Sequence, residues 1–178
     1  MSLLAYNSEY ILYRTFSMKK PLDHKDKVLL RLLQDDARLT STELAKRVDL
    51  STSGLQKRVR KLEDMEVIES YRTMLNREAL GYDMLCFVQV TLQRHEPEAV
   101  RGFRELVQDM PEVMECFHLT GEYDYLLKIV VRNRKHLEKF LVETLTPVKG
   151  MDKIRTSLVL NEIKATTSLP IENDDNPE

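Results

Sequence analysis

The sequence predicts an α+β chain in two parts, and three observations carry that prediction. Apolar residues recur at helical spacing between Asp23 and Met65 and at strand spacing from Leu85 onward, so the period changes near mid-chain. Helix-start signals precede the helical stretches: Asp23 stands three residues before Asp26, and Thr40 three before Glu43. The length, 178 residues, suits one ordinary domain or two small ones.

Composition narrows the class. With 42% hydrophobic residues and only 5 Gly and 6 Pro, the chain is expected to fold and to favour helices. No apolar run approaches the roughly 18 residues that would span a bilayer, and Met1 to Lys20 places its basic residues last, unlike a signal peptide. Cys86 and Cys116 make no disulfide framework and fall in apolar stretches, where a buried, inert thiol is expected. The expected setting is cytoplasmic, with no membrane partner.

Residues 1–20 carry no clean period and Met18-Lys19-Lys20-Pro21 resembles a second beginning, so this extension is either disordered or a packing helix. Asp23 and Asp26 put carboxylates on a first helical turn, where free amides and the macrodipole favour them, and Val28, Leu29, Leu32 and Leu33 follow at helical spacing. Thr40-Ser41-Thr42-Glu43 forms a capping box for a second helix with the stripe Leu44, Ala45 and Val48. Asp49-Leu50-Ser51 is a three-residue break. Ser51 then caps a third helix whose stripe is Leu55, Val59, Leu62 and Met65. These are the dimensions of a helix-turn-helix. Residues 67–72 are expected as a strand that, with Met74-Leu75, makes a hairpin and hence a winged domain over 21–75. Residues 76–83, with Gly81, are the expected linker.

The second part alternates. Leu85, Phe87, Val88, Val90 and Leu92 give a strand, and Val100, Phe103, Leu106 and Val107 a helix. Two strands follow at 113–119 and 125–131, then a helix on Leu137, Phe140, Leu141 and Leu145 stopped by Pro147, then a strand over 154–163. The order βαββαβ over 84–172 is the ferredoxin-like split βαβ, a sheet with helices on one face. A sheet bare on its other face needs a cover, and a second subunit is the usual one, so a dimer is expected. An acidic tail, 173–178, ends the chain.

Two patches carry chemistry. The net charge of −2 argues against a nucleic-acid binder, yet Lys57, Arg58, Arg60 and Lys61 fall within eleven residues, 51–61, that hold no acid. On the third helix Thr52, Ser53, Gln56, Lys57 and Arg60 face away from the apolar stripe. Gln and Lys there suit base edges, and Ser and Thr suit phosphates or bases. The bland alternative is a solvated charged face. Gly54 admits two explanations, close approach to a DNA backbone or tolerance near a helix start. The second patch is Thr120-Gly121-Glu122-Tyr123-Asp124, between two apolar strands. Gly121 supplies a positive-φ position or lets something approach the backbone. Asp124 either accepts from an ammonium group or ties the loop through its amides. Catalysis and metal binding find no motif: His24, His95, His118 and His136 share no ligand spacing with the cysteines, and no phosphate-binding Gly-rich loop occurs.

Taken together, Leu22-Asp23, Asp26, Leu33-Gln34-Asp35-Asp36-Ala37-Arg38-Leu39-Thr40, Glu43-Leu44-Ala45, Leu50-Ser51, Arg58-Val59, Leu62-Glu63 and Val67-Ile68 resemble the DNA-binding half of the leucine-responsive/asparagine-responsive (Lrp/AsnC) regulators. Residues 111–116, 120–126 and 167–172 resemble their amino-acid-sensing half. The resemblance implies a non-enzymatic transcriptional regulator, dimeric and commonly assembled into octamers. Its partners would be double-stranded DNA and a small amino acid bound between subunits, with no other cofactor. It places Ser51, Thr52, Ser53, Gln56, Lys57, Arg58, Arg60 and Lys61 on the DNA-binding helix. Thr120, Gly121, Tyr123 and Asp124 fall on the effector loop, with Thr156 and Ser157 lining its pocket. Two recognition helices about 34 Å apart would address half-sites one helical turn apart. Members often carry Gly where this chain has Asp49 and Glu66; a left-handed backbone there suits Asp and costs Glu.

Two rivals are weighed against this reading. The sirohaem decarboxylases resemble the same two-part architecture and bind a tetrapyrrole; they would need polar and His groups around a large cavity, for which His95 and His118 are the only nearby candidates, and the basic helix goes unexplained. The other rival is a small-molecule binding module that no longer reads DNA.

Overall fold

The computed structural model describes residues 21–93 and 97–172. The expected extension 1–20, the acidic tail 173–178 and His95 lie outside the described residues. The chain divides into two units. Among the described residues one comprises 21–72 and 166–172, the other 73–93 and 97–165. Residues 166–172, expected with the sheet, group instead with the helices.

The first unit holds α1 (His24–Asp35), α2 (Ser41–Val48) and α3 (Thr52–Asp64). Each begins on a side-chain cap. The Asp23 carboxylate accepts from the Asp26 amide (2.8 Å) while Asp26 accepts from the Asp23 amide (3.3 Å), and Thr40 and Glu43 make the same reciprocal pair. Ser51 Oγ accepts from the Gly54 amide at 3.1 Å. A Cβ on Gly54 would stand 3.1 Å from that same Oγ, so the residue makes room for the cap. Between α2 and α3 the chain reverses through Asp49, whose φ of 54° is left-handed. Leu29, Leu30, Leu44, Ala45, Val48, Leu55 and Leu62 form the core, with Val28, Leu32, Leu33 and Val59 packed on its margin. Leu30 lies outside the expected stripe.

The hairpin expected at 67–75 does not form within the chain. Glu66 turns left-handed (φ 54°), and the amides of Val67 and Ile68 donate to the Leu62 carbonyl at 2.9 and 3.2 Å. Val67 and Ile68 therefore close the last turn of α3 and pack on the core rather than start a ladder. Met74 and Leu75 stay exposed, and no strand among the described residues pairs with this segment. The C-terminal segment supplies the remaining contact. Gln34 accepts from the Leu169 amide (2.6 Å) and donates to the Leu169 carbonyl (3.2 Å), and Ile171 packs against the helical core.

The second unit runs β1 (Met84–Leu92), α4 (Pro97–Gln108), β2 (Val113–His118), β3 (Tyr125–Val131), α5 (Arg134–Lys139) and β4 (Met151–Leu158). Its sheet is antiparallel in the order β2-β3-β1-β4, the ferredoxin-like arrangement. Cys86, Val88, Val90 and Leu92 of β1 and Tyr125, Leu127, Ile129 and Val131 of β3 point to one face and form the core with Phe103, Val107, Phe140 and Leu145 from the helical segments. α5 continues as a π-helical turn, Phe140–Leu145. Its i→i+5 bonding brings residues five apart toward one side, which lets Phe140 and Leu145 both reach the core. β4 stops at Leu158 rather than continuing to residue 163, because its partner β1 begins at Met84; the Val159 amide makes the last bond, to the Leu85 carbonyl. Cys86 is buried as expected, and burial pushes its thiol pKa up. Cys116 is exposed, against expectation, because β2 is the outer strand. No helix among the described residues is long and apolar enough to cross a membrane.

Candidate nucleic-acid interface and effector loop

α3 and its cap, Ser51, carry the eight residues expected at a nucleic-acid interface, and the structure splits them. Ser51, Thr52, Ser53, Gln56, Lys57 and Arg60 are exposed. Ser51 is committed to the cap, and its Oγ lies 3.3 Å from that of Ser53. Lys57 and Arg60 have no acidic partner among the described residues. Arg58 and Lys61 do. Arg58 Nη1 donates to Asp23 Oδ2 and to Asp26 Oδ1, both at 2.6 Å, and Lys61 Nζ stands 3.3 Å from Asp26 Oδ2. Asp26 is wholly buried, so its charge has to be paired. The Arg58 guanidinium holds the Asp23 carboxyl below its usual range, aided by the Asp26 amide and opposed by partial burial. Asp23 and Asp26 in turn raise Arg58 above its ordinary value. These two cations therefore bind α3 to α1. The sequence contains the signal: residues 58 and 61 lie three apart on one helical face, and Asp23 and Asp26 are three apart at the start of α1.

What remains outward is a compact polar strip, Thr52, Ser53, Gln56, Lys57 and Arg60, on a capped helix. It presents hydroxyls and an amide that can donate and accept, with two cations beside them. That is the chemistry of major-groove edges and flanking phosphates.

In the second unit the 120–124 loop joins β2 to β3. Gly121 sits at φ 132°, and a Cβ there would meet nothing within 4 Å, so the backbone angle rather than space requires glycine. Asp124 Oδ2 accepts from the Leu92 amide at 2.7 Å, its own amide donates to the Val90 carbonyl (3.0 Å), and its carbonyl accepts from the Leu119 amide (2.9 Å). Of the two chemistries open to Asp124, tying the loop is thus in place. The Leu92 bond lies where β1 and β4 slip register, next to Thr91. Tyr123 is held from the sheet: Arg155 Nη1 donates to its hydroxyl at 3.2 Å and lies 5.9 Å from its ring centre. Thr120 is exposed.

Thr156 and Ser157 face opposite sides of the sheet. Thr156 pairs with Val88 and shares the helix-covered face, whereas Ser157 pairs with Phe87 on the bare face. Neighbours on a strand point to opposite sides, so one cavity on one face cannot take both. Arg155, which the sequence did not single out, shares the bare face with Ser157 and reaches Tyr123. His118 stacks on Tyr125, ring centres 4.8 Å apart, and approaches Arg104 at 3.3 Å. Among the described residues no three metal-ligating side chains converge.

The bare face displays Phe87, Leu126 and Phe117, the last 45% exposed. In its middle the Gln89 Oε1 is buried and has no donor among the described residues.

Comparison with known proteins bears on both units. The sequence profile of the Lrp/AsnC ligand binding domain matches residues 85–169, and that of a winged helix-turn-helix DNA-binding domain matches residues 22–69. The leucine-responsive regulatory protein of Rhizobium meliloti (strain 1021) is 39% identical over 150 residues, which cover 84% of this chain and 96% of that protein. A transcriptional regulator from Neisseria meningitidis, solved as its L-Met complex, superposes with a TM-score of 0.81 at 38% identity, covering 84% of this chain and 97% of the other. The feast or famine regulatory protein of M. tuberculosis, complexed with L-methionine, gives 0.74 at 30% identity and covers 85% of this chain and 100% of the other.

Proposed function

Because the chain belongs to the Lrp/AsnC family of transcriptional regulators, we propose that the outward strip of α3 reads double-stranded DNA and that a small amino acid at the 120–124 loop modulates that reading. The observation that carries the DNA half is the division of labour on α3. Arg58 and Lys61 are spent inside the unit, and Thr52, Ser53, Gln56, Lys57 and Arg60 are left on one exposed side. Gln56 is assigned to base edges, Thr52 and Ser53 to bases or phosphates, and Lys57 and Arg60 to phosphate. Ser51 contributes as the cap. Arg58 and Lys61 are withdrawn from the DNA-facing set and kept as supports.

For the effector, Asp124 shapes the loop, Gly121 gives it its turn, and Thr120 and Tyr123 offer the ligand polar atoms. Ser157 joins this side of the sheet and Thr156 does not. The amino acid to try first is L-methionine, which two solved relatives carry. Function as a regulator without enzymatic activity accords with the names of those relatives. The bare sheet face is proposed to meet a second copy of the chain, which would cover Phe87, Phe117 and Leu126 and offer Gln89 a donor. Larger rings, octamers among them, would be built from such dimers.

The experiment is binding of the purified protein to the DNA upstream of its own gene against a shuffled control, at fixed salt, with and without an amino-acid panel led by L-methionine. A preference for the native fragment that one amino acid shifts supports both halves. Equal affinity for both fragments, and for sequences drawn from a random-sequence selection, would sink the DNA half. Because an effector acts only through different affinities for two states, amino-acid binding without a shift would count against regulation.

A further inference from the structure

We infer that the first turn of α1 is a positioning device for the recognition helix, in which Asp26 with Asp23 grips Arg58 and Lys61 while Lys25 grips the turn before α3. The inference rests on the reading of α3's outer strip as the DNA-contacting face, and it assigns roles to residues that do not themselves touch DNA.

Three links set the geometry. Asp26 is fully buried and both its oxygens are engaged: Oδ1 by Arg58 at 2.6 Å, Oδ2 by Lys61 and by the Asp23 amide, each at 3.3 Å. Asp23 Oδ2 takes a second bond from the same Arg58 nitrogen at 2.6 Å. Lys25 Nζ donates to the Asp49 carbonyl at 2.6 Å and stands 3.5 Å from its carboxylate, at the left-handed residue that sets the α2–α3 corner. Residues 58 and 61 are neighbours on one helical face, so holding both to one carboxylate fixes α3 in rotation as well as distance. A turn of the helix by one residue, about 100°, would pull both cations away. Apolar packing of Leu55 and Leu62 is non-directional and cannot set rotation so sharply, whereas charge-assisted hydrogen bonds are short and directional. The same pairing also lowers the outward charge of α3, leaving Lys57 and Arg60 as its phosphate ligands.

A positioning role and a direct hold on phosphate predict different things. The test uses the full chain, a duplex enriched from random sequence with the wild-type protein, and a mixed-sequence duplex of equal length, across a salt series. Arg58→Ala is expected to lower affinity for the enriched duplex about tenfold and for the mixed duplex far less, with the slope of log K against log salt unchanged. Arg58→Lys should restore part of the discrimination. Lys57→Ala should instead lower the slope by about 0.9 for each phosphate left without its cation. Asp23→Asn keeps a good helix cap and the Asp26–Arg58 bond, so it serves as the folded variant should Arg58→Ala unfold. It should cost about threefold in discrimination at unchanged slope. A slope that falls with Arg58→Ala or Asp23→Asn as it does with Lys57→Ala would overturn the inference. So would wild-type discrimination in folded Arg58→Ala or, should that variant unfold, in Asp23→Asn. A wild-type protein that prefers neither duplex would instead sink the reading of α3's outer face.

Discussion

α3 and the 120–124 loop are both candidate sites, and they handle their polar side chains in opposite ways. On α3 the inward charges are satisfied by α1, and the outward ones, Lys57 and Arg60, await a partner from outside. In the loop the most chemically useful group, Asp124, already bonds the Leu92 amide, and Tyr123 already meets Arg155. A rigid element can divide its faces between fold and function because its period separates them. A short loop has no second face, so one side chain has to serve both ends. Substitutions on the outer face of α3 should therefore affect function without touching stability, and substitutions in the loop should affect both.

The largest expected effect tests the first half of that contrast. Lys57→Ala with Arg60→Ala should reduce DNA affinity by about 100-fold near 0.15 M salt and flatten the salt dependence. The thermal midpoint should stay within about 2 °C, since exposed substitutions away from caps and pairs change stability by about 0.5 kcal/mol or less. A large fall in the midpoint would show that these side chains also hold the fold, and the contrast would fail.

The second effect is the loop's. Asp124→Ala leaves the Leu92 amide without its acceptor, at a cost of about 1–3 kcal/mol, and should abolish the amino-acid response while DNA affinity persists. Asp124→Asn separates the two duties. Its carbonyl oxygen still accepts from Leu92, so stability should largely return, and the response returns only if the loop's shape rather than its charge is what the amino acid needs. Calorimetry for stability and gel-shift titration with L-methionine for response read the two outcomes independently.

How much of this was legible in the sequence follows the same division. The helix boundaries, the outer strip of α3 and the βαββαβ order were readable because capping residues and periods are local. What was not readable came from distant parts of the chain. The pairing of Arg58 and Lys61 with Asp23 and Asp26 spans more than thirty residues, and the bond from Asp124 to Leu92 joins a loop to a strand thirty-two residues earlier. Residues 67–75 have strand composition, yet a strand needs a partner and none is supplied among the described residues. Thr156 and Ser157 are equivalent as neighbours in the sequence, and only the register sends them to opposite faces.

Residues 166–172 are the most distant case, and they yield the third effect. Gln34 clasps both the amide and the carbonyl of Leu169, and Ile171 joins a core whose other members lie between Leu22 and Ile68. Ending the chain after Ala165 should lower the stability of the helical unit by about 1–2 kcal/mol, from two exposed hydrogen bonds and one partly buried Ile. Gln34→Ala should reproduce a smaller part of that loss. Both are measured by thermal denaturation against the full chain, and an unchanged midpoint in the truncated chain would return residues 166–172 to a passive tail.

The smallest effect compares two corners of the same unit. Asp49 and Glu66 share a left-handed φ of 54°. A non-glycine residue loses about 1–2 kcal/mol in that conformation, and glycine recovers it at an entropic cost of about 0.5–1 kcal/mol. Asp is among the residues that tolerate the region, and the Asp49 carbonyl also accepts from Lys25. Glu is longer, is not among the residues that favour the region, and sits exposed at the exit from α3. Glu66→Gly should therefore stabilise the unit by about 0.5 kcal/mol, a rise of roughly 2–4 °C in the midpoint, and Asp49→Gly by less or not at all. The reverse order would mean that the Glu66 side chain holds more of the corner than its backbone costs.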